Sequence, residues 1–231
     1  MARKVKISHE RLKRFAREEK TRKENIRNKR KYYLIVCEGE ATEPHYFDAL
    51  KQDLPKGVLT AYQIDIAGTG RNTQSLLEEA LRLKNEYRKN YNRLVDRLWV
   101  VFDRDSFDPS DFNNAILRCK NNKPEIGCAW SNEAFELWYL LHFQYYENAM
   151  SRMDFKDLIE KNLKPILGEG FRYEKNSNQM YKLLSEHGRQ EDAFRNAKRL
   201  AKQYGNRQDY ANHNPCTMVW KLVEELIKLK S

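Results

Sequence analysis

The chain has 231 residues, enough for one good core, or for one core plus a smaller appendage. Its 40% hydrophobic and 12% aromatic content argues against a disordered polymer, and no apolar run approaches the roughly 20 residues that a membrane-spanning helix needs. The net charge of +10 sits entirely in the first 31 residues, where 14 Lys and Arg face 4 Glu, so the remainder is balanced.

Residues 1–31 therefore read as a basic N-terminal arm. Its cations would surround a helix and leave no continuous apolar face, a pattern suited to phosphate contacts that release counterions. Arg14, Arg17, Lys29 and Arg30 are candidate contacts of this kind. A solvated arm that only aids solubility explains the same charge. The basic start, without an apolar stretch, sets the expectation of no secretory signal. Cys37, Cys119, Cys128 and Cys216 have neither Cys-x-x-Cys spacing nor a nearby His, so reduced thiols in a cytoplasmic protein are expected.

Residues 32–145 alternate between strand and helix patterns. A buried strand is predicted over 32–37, followed by a helix from Glu43 to about Leu50 and an alternating strand over 61–67. The loop Gly68-Thr69-Gly70-Arg71-Asn72 leads into a long helix from about Gln74 to Asn90, with Ser75 and Glu78 at capping-box spacing. A strand over 98–102, a helix near 110–121, a strand around Ile126 to Trp130 and a helix from about Asn132 to Phe143 complete this part. Repeated β-α units of this length predict an α/β fold, with a mainly parallel sheet covered by helices on both faces. Over 146–231 the strand signal fades into a helical C-terminal region that packs on the core. Its helices are predicted near 154–162, 177–187 and 190–204, and a last helix opens at Asn214-Pro215 as N-cap and first-turn proline.

Two apolar strands end abruptly in acids. Tyr32-Tyr33-Leu34-Ile35-Val36-Cys37 runs into Glu38-Gly39-Glu40, and Leu98-Trp99-Val100-Val101-Phe102 runs into Asp103-Arg104-Asp105. Parallel strands deliver such residues to their carboxyl ends, where open α/β sheets bind ligands. Asp103 and Asp105 flank Arg104, so an extended backbone would point both carboxylates the same way, about 7 Å apart. Hard oxygen ligands in this arrangement suit Mg²⁺ or Mn²⁺. Asp after a strand is also an ordinary turn or helix cap. Glu133 and Glu136 are expected on one face near the start of the helix from Asn132. There Glu136 could complete a metal site, assist a water or orient a basic partner, and early Glu residues also complement a helix dipole. The loop through Arg71 is either a phosphate contact at a helix N-terminus or a structural turn.

The segments Leu34 to Phe47, Phe102 to Asp105 and Ser131 to Phe143 together resemble the RloB-like proteins, as does Asn214-Pro215-Cys216-Thr217 with Val219 to Val223. The resemblance implies a Toprim-like, Rossmann-like core in which Glu38 is the glutamate after the first strand and Asp103 and Asp105 are the metal-binding pair. Glu133 stands where that family's segment would carry proline. The resemblance further implies abortive-infection phage defence, association with restriction-modification loci and an AAA- or ABC-type ATPase partner.

The expected activity is a Mg²⁺- or Mn²⁺-dependent phosphodiesterase acting on DNA or RNA, tRNA included. Its catalytic residues would be Glu38, Asp103, Asp105 and Glu136, the first three also holding metal. Arg71, Arg104 and the basic arm are the expected phosphate contacts. Glu38 would either ligate metal or act as general acid or base. The competing reading is a non-catalytic nucleic-acid-binding or regulatory module with the same fold. A phosphoacceptor receiver is set aside because its acidic pair follows the first strand, whereas here the pair lies in the later motif. Topoisomerase activity is set aside because little chain remains for a strand-passage domain.

Overall fold

The computed structural model describes residues 31–70, 73–92, 94–104 and 108–230. The expected basic arm, Arg71 and Asp105 lie outside the described residues. The chain divides into Met1–Arg30 and Lys31–Ser231, and the architecture here is that of the second unit.

The elements in chain order are β1 (Lys31–Cys37), α1 (Thr42–Gln52), α2 (Lys56–Ala61), β2 (Tyr62–Gly68), α3 (Thr73–Tyr91), β3 (Arg97–Asp103), α4 (Pro109–Asn121) and β4 (Gly127–Asn132). They continue with α5 (Glu136–Leu140), α6 (Asp154–Leu167), α7 (Met180–His187), α8 (Gln190–Tyr204), a 3₁₀ turn (Tyr210–Asn212), β5 (Cys216–Thr217) and α9 (Val219–Lys228). The sheet order is β2-β1-β3-β4-β5. The first four strands are parallel and β5 runs antiparallel along β4, pairing Ser131 with Thr217 and Asn132 with Cys216. None of the described helices is long and apolar enough to cross a membrane.

Both faces of the sheet are covered, which explains why β1 and β3 read as continuous apolar runs rather than alternating ones. Leu34 and Val36 face a core layer with Val100 and Phe102, closed by Leu76 and Ala80 of α3 and Phe112 and Ile116 of α4. Ile35 and Cys37 face the other layer with Val101 and Ala129, closed by Phe47 of α1, Trp138 of α5 and Leu222 and Leu226 of α9. Each fully buried aliphatic side chain contributes about 1.5–3 kcal/mol of transfer free energy, so the central strands are the most strongly fixed part of the chain. Their carboxyl ends, Cys37 and Asp103, are fixed with them. The four cysteines are free thiols, and all but the half-buried Cys128 are buried.

Three readings of the sequence are corrected. The helix expected from Asn132 to Phe143 is a single short helix, Glu136–Leu140, because Ser131 and Asn132 instead extend β4 and pair with β5. Glu133 consequently precedes the helix, and the expected helical face shared by Glu133 and Glu136 does not exist. The last helix begins at Val219, not at Asn214-Pro215: the Asn214 side chain brackets Met150, with its Nδ2 donating to Met150 O at 2.9 Å and its Oδ1 accepting from Met150 N at 3.1 Å. Ser75 lies inside the first turn of α3, so the Ser75–Glu78 pair is not a cap. The short α2 and β5 are additional to the predicted elements.

Gly127 opens β4 directly beside Trp99 of β3, and a Cβ there would overlap the Trp99 ring. That ring has little freedom to move aside. Its Nε1 donates to Glu225 Oε1 at 3.4 Å, and the Arg97 guanidinium, itself paired to Glu225 at 2.9 Å, sits over its face. Gly127→Ala is predicted to lower stability by about 1–3 kcal/mol through overpacking. Gly57→Ala, in an open helical position, should leave stability unchanged or raise it by up to about 1 kcal/mol. Urea unfolding of the two variants checks both signs.

Candidate functional site

The carboxyl ends of β1 and β3 meet as neighbours, and this alone brings Glu38 and Asp103 together. Glu38 N donates to Val101 O at 2.9 Å, and the Glu38 Oε2 accepts from Asp103 N at 3.0 Å. The two acids are thus stitched to each other's strands. Asp103 is buried, and its Oδ2 accepts from Phe135 N at 3.1 Å, from the turn that leads into α5. Its Oδ1 is buried and, among the described residues, has no hydrogen-bond partner. An ionised oxygen in that state is costly unless a cation or proton meets it.

Two more buried acids face the same space. Glu43, in the first turn of α1, folds back beneath the β1 turn, where a Cβ on Gly39 would overlap its carboxylate. Gly39 is required for that approach. Glu136 opens α5, and its Oε1 accepts from the Tyr173 hydroxyl at 3.0 Å. Tyr46 holds α1 and α5 together from below, accepting from Trp138 Nε1 at 2.8 Å and packing edge-on against Phe47 and Phe135.

These acids line a cavity of about 470 Å³ with Gly39, Glu40, Thr42, Gly70, Phe135, Arg152, Lys175 and Asn176. A wider groove of about 570 Å³ between α3 and α4 is lined by leucines, asparagines, Ala115 and Arg118, and has no carboxylate. Size favours that groove, but chemistry favours the smaller cavity, where polar groups converge.

Burial pushes the Asp103 carboxyl well above its usual range, and the neighbouring charges of Glu43, Glu136 and Glu38 push it further. Burial also raises Glu43, with Glu136 adding to the shift, while Lys175 and Arg152 pull it back. The adjacent Cys37 thiol and Tyr173 hydroxyl are raised for the same reasons, burial first and acidic neighbours second. The cavity therefore carries a local deficit of positive charge. A divalent ion with oxygen preference fits that deficit: the donors are hard carboxylate oxygens, and Asp103 Oδ1 is an orphan. Among the described residues no group of three or more acids, His or Cys has metal-ligand geometry already in place. Mg²⁺ is commonly held by one or two carboxylates plus water and substrate phosphate, so Glu38 and Asp103 are the residues that would hold it.

Of the expected site residues, Glu38, Asp103 and Glu136 line this one cavity. Arg104 is not part of its lining; its backbone N donates to Ser131 O at 2.8 Å, and its charge helps to lower the pKa of Asp108. Arg71 and Asp105 fall outside the described residues, although Gly70, next to Arg71, reaches the cavity. Glu43, close behind the first acidic motif in sequence, joins the cavity, and Arg152, Tyr173, Lys175 and Asn176 are site residues that the sequence does not mark. The turn Glu38-Gly39 followed by Glu43 was a usable signal, because a tight turn returns the next acid to the same end of the strand. The other four come from loops without periodicity, so no local pattern marks them.

Asp103 and Glu43 bind a proton more tightly in the folded chain than in the unfolded one. Their burden on stability is therefore absent at low pH and grows as pH rises from the ordinary carboxylate range, about 4, towards the raised folded values. The metal-free protein should lose stability over that rise, by up to about 1.4 kcal/mol per pH unit for each proton released. Asp103→Asn should flatten the slope and be the more stable protein at neutral pH. Chemical denaturation in chelator at a series of pH values measures the difference.

A sequence model of the RloB-like protein family matches residues 33–226. No curated protein and no solved structure matches the chain. The matched span takes in all or most of each strand and helix of the described fold, and the chain belongs to the RloB-like family.

Proposed function

We propose that this RloB-like protein is a metal-dependent phosphodiesterase, a nuclease acting on nucleic acid. The observation that supports it best is the buried Asp103 Oδ1, without a partner among the described residues, beside Glu38, Glu43 and Glu136 at the carboxyl end of a parallel sheet. Mg²⁺ or Mn²⁺, when bound, would neutralise charge developing on the phosphate and lower the pKa of a coordinated water. Asp103 and Glu38 would hold it, with Asp105 as the further ligand implied by the family resemblance. Glu38, half-buried and anchored through Oε2, is placed either to ligate or to take a proton from the attacking water. Glu136 is held in place by the Tyr173 hydroxyl, and Glu43 lines the same cavity.

In this reading the protein works in the cytoplasm in phage defence by abortive infection, with DNA or RNA, tRNA included, as target. An ATPase partner supplies the trigger that keeps a host-directed nuclease silent until infection. The basic arm, with Arg14, Arg17, Lys29 and Arg30, and the cations Arg71 and Arg104 are the proposed contacts to the nucleic-acid backbone.

The competing reading is a non-catalytic nucleic-acid-binding or regulatory module with the same fold. Cleavage assays separate the two. Purified protein, alone and with a co-expressed ATPase partner, is incubated with DNA and total tRNA in Mg²⁺ or Mn²⁺. The phosphodiesterase reading predicts metal-dependent cleavage that falls at least about a hundredfold in Glu38→Ala and in Asp103→Asn. Cleavage of nothing under any of these conditions, with binding intact in both variants, would leave the binding module as the function.

A further inference from the structure

Two cations share the acidic cavity, and both are brought there by the C-terminal region. Arg152 follows Met150 in the loop before α6, and Lys175 lies in the strap between α6 and α7. We infer that Arg152 and Lys175 form an anion subsite that grips a phosphate oxygen of the substrate across the cavity from the carboxylates. This rests on the phosphodiesterase reading and adds to it a second, cationic wall to the site.

Both residues are placed by built brackets. Arg152 N donates to Glu133 Oε2 at 2.9 Å, and two residues earlier the Asn214 side chain clamps both backbone groups of Met150. Glu133, displaced from the helix predicted for it, thus serves as a positioning residue for Arg152. The strap carrying Lys175 is pinned on either side. Tyr173 N donates to Glu160 Oε1 at 3.1 Å, and the Tyr173 hydroxyl donates to Glu136. On the far side, the Thr42 hydroxyl bonds Asn176 Oδ1 at 2.7 Å, and His45 Nδ1 donates to Asn176 O at 3.0 Å. Four hydrogen bonds to three different helices are more than an idle surface loop needs. They hold one exposed lysine over one cavity.

Charge balance points the same way. Lys175 and Arg152 both lower the pKa of Glu43, so both lie within electrostatic reach of the acids. Yet Lys175 is exposed and, among the described residues, forms no salt bridge. A lysine placed to neutralise Glu43 would be expected to touch it. A lysine that lines the cavity without such a contact among the described residues is available to a ligand anion. Charge-assisted contacts from an arginine and a lysine on separate segments are the usual means of fixing a phosphate against a cation site.

Phosphorus NMR of the dinucleotide TpT with the full-length protein and Mn²⁺ tests this, because bound Mn²⁺ broadens the phosphorus line only at close range. Water-proton relaxation of the same samples reports Mn²⁺ binding by itself. The inference predicts strong broadening with wild type and with Lys175→Arg, and at least fivefold less with Lys175→Ala and with the double variant Arg152→Ala/Lys175→Ala. Mn²⁺ binding should differ by less than twofold across the set. Equal broadening in the alanine variants, or none in wild type that binds Mn²⁺, overturns the subsite while leaving the phosphodiesterase reading intact. No Mn²⁺ binding by wild type overturns the metal site itself, and the subsite with it.

Discussion

Repulsion between buried carboxylates is the constraint on which the rest of this structure depends. Asp103, Glu43 and Glu136 are each more than nine-tenths buried, and Glu38 bonds the backbone of one of them. Replacing any of them with apolar residues would relieve the strain, since uncompensated buried charge is among the costliest features a fold can carry. The sheet supports it because β1 and β3, covered on both faces, hold the strand ends immobile. Local strain of this kind is characteristic of sites whose charge is completed by something that binds.

The surrounding architecture is organised to concentrate that charge. Parallel pairing of β1 with β3 puts Glu38 beside Asp103, and the Gly39 turn returns Glu43 to the same end. Extension of β4 as far as Asn132, stabilised by the antiparallel β5, sets the start of α5 so that Glu136 enters from the third side. The segments after residue 145 then close the fourth side with Arg152, Lys175 and Asn176. A helical region that reads in sequence as packing material is also part of the cavity wall.

Much of this was legible in the residues. An apolar run with no polar interruption, ending in Glu or Asp, has few meanings other than a buried strand presenting an acid, so Glu38 and Asp103 could be placed without a structure. The mainly parallel pairing and the coverage of both faces followed from the alternation of elements, whereas the strand order did not. What sequence could not give were contacts decided at long range. Ser131 and Asn132 carry no strong strand preference; they are extended because Thr217 and Cys216 pair with them. Asn214-Pro215 has the form of a helix start, but Asn214 is taken by Met150, more than sixty residues earlier in the chain. Lys175 is one of many lysines in the sequence, and only the four bonds around its strap distinguish it.

The central claim is that the acidic cavity is built to exchange protons for a divalent cation. Calorimetric titration of Mn²⁺ into the protein, repeated at about pH 6 in two buffers of different ionisation enthalpy, measures that exchange directly. The account predicts saturable binding with net proton release, both lost in Asp103→Asn. Binding without proton release, or no binding at all, would contradict it.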